Sequence, residues 1–145
     1  MALKERSRFR ERWDLAWRAY ESLREILERR VDPLSEEYVI VRDASIQRFE
    51  YTFEIFWKTL KDYLREREIV ECFSPANCFR EALKTGVLSP EETEACLEML
   101  RSRNLTSHTY REETAQRLYP RLKGYAELME RILQRLNKNF LRREA

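Results

Sequence analysis

Residues 35 to 68 constrain this chain most. Apolar side chains recur there at helical spacing, with no glycine or proline to interrupt them. Ser35 is an expected N-cap, and Glu36 and Glu37 suit the positive end of a helix dipole. The length allows a bend near Arg42-Asp43. At about 100° per residue, Ile46, Phe49, Phe53, Phe56, Trp57, Leu60 and Leu64 share one face. Tyr51 and Ile55 fall roughly opposite, with Gln47, Glu54, Lys58 and Lys61 in a polar strip between. A helix apolar on two sides is either central in a bundle or covered by a second subunit. With few helices available to cover it, the second arrangement is favoured, and Tyr51 and Ile55 are assigned to a homodimer interface. The alternative is one aromatic core with two exposed apolar residues.

The flanking segments are helical too. Phe9, Trp13, Trp17, Tyr20, Leu23 and Leu27 mark an amphipathic helix over about residues 8 to 30, ended by Asp32-Pro33. The two tryptophans are read as core. Ser74-Pro75 starts a short helix carrying Cys78, Phe79, Ala82 and Leu83, and Gly86 closes it in the left-handed region. Ser89 and Glu92 form a capping box for a helix that buries Ala95 or Cys96, Met99 and Leu100. Thr109 with Glu112 is a second candidate box, opening a last helix through Ala115, Leu118, Leu122, Tyr125, Met129, Ile132 and Leu136 to near Phe140. Pro120 should kink or split it, and residues 141 to 145 are expected to fray. The expected fold is all-α: one domain over residues 1 to 145, an up-and-down bundle of about four to five helices.

Charge and cysteine usage narrow the function classes. A net charge of +2 argues against a nonspecific nucleic-acid coat, but 28 Lys+Arg, mostly arginine, permit a local basic patch. Cys72, Cys78 and Cys96 lack metal-ligand spacing and are expected to be free buried thiols in a reducing cytosol. No metal and no cofactor is expected. The charged start is unlike a secretion signal, and no apolar run reaches membrane-spanning length, so a cytoplasmic location is expected.

The chemistry converges on Arg103 to Tyr110, RNLTSHTY, which holds the single histidine. His108 can exchange a proton near neutral pH, and Arg103 can bind a phosphate and offset charge developing on it. Asn104 could orient either group, and Tyr110 offers a hydroxyl or a target for modification. Arginine and histidine beside a phosphodiester are a sensible metal-free RNA-cleaving pair, with the ribose 2′-OH as nucleophile. Two proton-transfer agents are needed, and a homodimer would supply the second histidine. The plainer reading is a helix junction: an arginine favoured by the dipole, followed by polar capping residues.

Three segments in order, IQRFEYTFEIFWKTLKDYL (Ile46 to Leu64), SPANCFREALKTGVL (Ser74 to Leu88) and MLRSRNLTSHTY (Met99 to Tyr110), resemble the nucleotidyltransferase substrate-binding family. That family belongs to the HEPN superfamily and is related to HepT toxins. The superfamily motif, Arg, four residues with a polar one first, then His, with Tyr added in the HepT version, corresponds to Arg103, Asn104, His108 and Tyr110. The resemblance implies a helical homodimer with the two motifs meeting in a cleft, and a small nucleotidyltransferase as partner. It further implies RNA as substrate for a metal-independent RNase toxin, silenced when the nucleotidyltransferase adds AMP to Tyr110. A non-catalytic subunit that presents a substrate to the nucleotidyltransferase is the alternative.

Overall fold

The computed structural model describes residues 7–106 and 112–144. Among these, every regular element is helical: α1 (Arg8–Leu27), α2 (Glu36–Arg67), α3 (Pro75–Lys84), α4 (Pro90–Leu105), α5 (Glu112–Leu118), a 3₁₀ turn (Tyr119–Arg121) and α6 (Leu122–Glu144). α5, the turn and α6 follow one another directly, so Pro120 splits a single helical run, as its missing N–H requires. The up-and-down bundle is the expected one.

α2 is the centre of the bundle and touches α1, α3, α5 and α6. Its stripe from Ile46 to Leu64 is buried as the spacing predicts. Phe53 and Phe56 meet Phe79 of α3, and Phe49 stacks on Tyr125 of α6. On another side, Thr52 and Thr59 bond carbonyls one turn back in α2, and the Thr52 hydroxyl also lies 3.1 Å from Ala19 O of α1. Such small back-bonded residues let two backbones approach closely. α2 thus packs on a second side within the chain, against α1. Ile55 packs on the edge of this core, whereas Tyr51 is 61% exposed. Trp13 and Trp17 are partly buried against the core, and Trp13 Nε1 donates to Leu133 O of α6.

The caps follow the sequence closely. Ser74 Oγ accepts from Asn77 N. Gly86 has φ +80°, with Val87 N and Leu88 N returning to Ala82 O. At α4, Ser89 Oγ accepts from Glu92 N while Glu92 Oε1 accepts from Ser89 N. Ser89→Ala removes one arm of this box and should cost about 1 kcal/mol in urea unfolding; an unchanged midpoint would show the cap to be idle.

Two expectations need correction. Cys72 and Cys78 are not free thiols: they are joined by a disulfide, and only Cys96 among the described cysteines is free. The first turns of α3 bring Cys78 back onto the connector, a proximity that a six-residue separation does not reveal. Burial pushes the Cys96 thiol up to about 12, which makes it unreactive. α2 runs without interruption through Arg42-Asp43, where its length allows a bend. The charged C-terminal stretch continues α6 to Glu144 instead of fraying, with Arg67 of α2 stacked 3.8 Å from the Phe140 ring centroid and its Nη2 3.5 Å from Phe140 O. Of the apolar residues that α3 carries, Cys78, Phe79 and Ala82 are buried and Leu83 is 38% exposed.

Candidate functional site at the α4–α5 junction

α4 runs two residues further than its polar residues suggest, with Asn104 and Leu105 still helical and Thr106 as C-cap. This places Arg103 in the last turn, where a cation suits the negative end of the dipole. Arg103 is half-buried; its Nη1 donates to Thr106 Oγ1 at 3.3 Å, and the Thr106 hydroxyl donates to Arg103 O at 2.7 Å. Asn104 is exposed on the same turn. Of the expected site residues, these two are thus brought together. His108 and Tyr110 lie outside the described residues, as does Thr109 of the second expected capping box. Tyr51 and Ile55 sit mid-way along α2, not at this turn; Tyr51 borders a groove against α1 with Leu15, Arg18 and Gln47.

Both flanks of this junction are anchored to the core. On the α4 side, Ser102 is buried and its hydroxyl shares a 2.6 Å hydrogen bond with Tyr125 OH of α6. Tyr125 is itself stacked on Phe49 of α2. On the α5 side, Arg42 of α2 is 1% exposed and grips Glu112 with both terminal nitrogens, at 2.6 and 2.8 Å. The Arg42 guanidinium holds the Glu112 carboxyl below the usual carboxylate range. A bidentate arginine–carboxylate pair fixes direction as well as distance. The five positions between these anchors, 107 to 111, include His108 and Tyr110. Neither anchor was identified from sequence, although one signal was present. Arg42 precedes Ile46 by four residues and Phe49 by seven, which places it on the buried stripe.

The junction carries charges of both signs, with Arg103 on its α4 side and Glu112 and Glu113 on its α5 side. A cleft of about 190 Å³ opens beside it, lined by Ser102, Leu105, Thr114, Arg117, Leu118 and Arg121. Among the described residues, no group of histidine, cysteine and carboxylate side chains is placed to hold a metal ion. No helix of these residues is long and apolar enough to cross a membrane.

Comparison with known proteins agrees with this architecture. Residues 11–138 match the family described as "Nucleotidyltransferase substrate binding protein like". The chain belongs to this HepT-like family. A curated relative, "Probable ribonuclease HepT" of Haemophilus influenzae, is 29% identical over 108 residues, spanning 66% of this chain and 73% of the relative. A crystal structure of a Thermus thermophilus protein superposes with a TM-score of 0.74 at 45% identity, covering 83% of this chain and 98% of that one. The family description implies a nucleotidyltransferase as partner, in agreement with the segments that carried the resemblance.

Proposed function

We propose that this protein is a homodimeric, metal-independent endoribonuclease, the toxin of a toxin–antitoxin pair whose other member is a small nucleotidyltransferase. The observation that carries this reading is the Arg103–Asn104 turn held at the end of α4, with both flanks of the motif pinned to the core. The ribonuclease named among its relatives supports it. In the reaction, one histidine takes the proton of a ribose 2′-OH, and O2′ attacks the adjacent phosphorus. The bond to the 5′-oxygen breaks, and the leaving oxygen takes a proton from the second histidine. His108 of each protomer supplies these two roles. Arg103 binds the phosphate and offsets its growing charge, and Asn104 orients it. The products are a 2′,3′-cyclic phosphate and a 5′-OH. Tyr51 and Ile55 belong to the dimer face in this reading, and the enzyme works in the cytoplasm.

Control falls on Tyr110. The partner transfers AMP from ATP: the phenolic oxygen attacks the α-phosphorus and pyrophosphate leaves. A bulky anion two residues from His108 then blocks the cleft and competes for Arg103. The family description supports a second reading, in which the chain is a non-catalytic subunit presenting a substrate to the nucleotidyltransferase.

Incubating the purified protein with RNA in excess EDTA separates the two readings. Fragments ending in a 2′,3′-cyclic phosphate are expected. Intact RNA both with EDTA and with added magnesium or manganese, together with no gain of AMP mass on Tyr110 in the presence of the partner and ATP, would refute the toxin reading.

A further inference from the structure

The cleft beside the motif has a composition that the cleavage chemistry does not use. One wall is the end of α4, with Ser102 and Leu105; the other is α5 and the 3₁₀ turn, with Thr114, Arg117, Leu118 and Arg121. Arg117 lies in α5 and Arg121 in the 3₁₀ turn that follows it, and both line the same opening. Two like charges side by side repel, and among the described residues no carboxylate pairs closely with either. Glu113 stands one turn before Arg117, yet no ion pair joins them among the described residues. Arg121 has only a 3.7 Å approach to Glu98, a carboxylate that bonds Arg101 at 2.8 Å. Both Arg121 and Glu98 are half-exposed there, where such a pair contributes little. Two under-compensated guanidinium groups around a small cleft suit a dianionic or diester phosphate, which arginine grips with paired N–H donors.

The surroundings select the kind of phosphate. Leu105 is 63% exposed at the cleft while Leu118 forms a buried floor, so an apolar surface lies next to the charges. At about 190 Å³ the opening takes a phosphate with part of a sugar, and it is too small for a duplex. Its α4 wall includes Ser102, the residue immediately before Arg103. We infer that the α4–α5 cleft is a backbone subsite for single-stranded RNA, in which Arg117 and Arg121 bind a phosphate next to the one held at Arg103. This rests on the ribonuclease reading and extends it: the enzyme reads strand path and charge here, with no base-edge contact, so the subsite adds affinity without sequence preference.

The test is equilibrium binding of the intact protein to a fluorescein-labelled, 2′-O-methylated single-stranded oligoribonucleotide over a range of KCl concentrations. The methyl group blocks the nucleophile, so binding is read without cleavage. Each phosphate contact on a single strand contributes about 0.7 to the slope of log K against log salt. Arg117→Gln/Arg121→Gln should therefore flatten that slope by about 0.7 and bind roughly tenfold more weakly at low salt. Lys84→Gln, an exposed charge change on α3, should behave as wild type. Circular dichroism melts of the double variant check that these two surface changes leave the fold intact, and the single variant Arg121→Gln should give a smaller change in slope than the double variant. If wild type binds and cleaves while the double variant keeps its slope, this inference is wrong and the ribonuclease reading survives. If wild type shows no salt-dependent binding, both fail. If binding depends on the two arginines but RNA is never cut, the subsite stands and the ribonuclease reading does not.

Discussion

His108→Ala is expected to slow RNA cleavage by about 10²- to 10⁴-fold, the usual contribution of a positioned proton-transfer group. The chain has a single histidine, so no neighbour of the same type can take over. In a homodimer the substitution removes both the base and the acid at once, which places the effect toward the upper end of that range. Arg103→Ala should cost about 10²- to 10³-fold, as removal of one charge-stabilising donor does elsewhere. The two losses should differ in pH dependence. Arg103→Ala retains both histidines, so its residual activity should keep the bell-shaped profile of two titrating groups; His108→Ala should lose that profile. Single-turnover cleavage of a short oligoribonucleotide over a pH series from acid to alkaline measures both. A His108→Ala protein that cuts at the wild-type rate with the wild-type profile would remove His108 from the mechanism. Unfolding curves need to overlay for the comparison to hold, and the core gives reason to expect this, since it is closed by α2 packing on α1, α3 and α6.

The bundle was legible in the sequence because helices announce themselves through local pattern. The stripe from Ile46 to Leu64, the boxes and caps at Ser74, Gly86 and Ser89, and the break at Pro120 each depend on residues within one or two turns. What escaped depends on contacts between distant segments. An arginine reads as solvated, so Arg42 passed as an ordinary surface charge; its burial is made tolerable by partners that include the adjacent Asp43 and Glu112, seventy residues later. Tyr51 and Ile55 looked equivalent by helical angle, but the neighbouring helices leave Tyr51 exposed while Ile55 packs on the edge of the core. The Cys72–Cys78 bond depends on where α3 folds back, and the persistence of α6 on Arg67 reaching the Phe140 ring from another helix. At the site itself the motif gave the position of Arg103 and Asn104, while Ser102, Tyr125 and Arg42, which anchor its flanks, carry no motif at all.

Glu92→Gln should lower stability at neutral pH by about 3 kcal/mol and flatten its acid dependence. Glu92 is the tie between α4 and α6. Its carboxylate takes two bonds from Arg135, at 2.7 and 2.8 Å, and one from Arg131 at 3.2 Å, while also closing the capping box at Ser89 N. The Arg135 bonds are the main cause that holds its carboxyl at about 2, against 4.5 ordinarily, with burial opposing. Its side chain is only 10% exposed, so solvent screens this little. A depressed folded-state value means that the carboxylate stabilises fully above pH 4.5, the unfolded value, and that this contribution disappears as pH falls from there toward 2. The difference in pKa corresponds to about 3 kcal/mol. Asp62 acts in the opposite sense. It is buried beside Arg12 and Arg65, each 3.4 Å away, and burial raises its carboxyl despite both arginines. A raised value makes the ionised Asp62 a cost at neutral pH that is relieved on acidification, so it masks part of the Glu92 loss. Urea unfolding of wild type and Glu92→Gln from neutral pH down to about 2.5, repeated in an Asp62→Asn background, isolates the effect. The two curves should converge as pH approaches 2, and the wild-type decline should steepen once Asp62 is neutral. Curves that stay parallel below pH 4.5 would mean that the Glu92–Arg135 pair contributes no net stability, its attraction cancelled by desolvation.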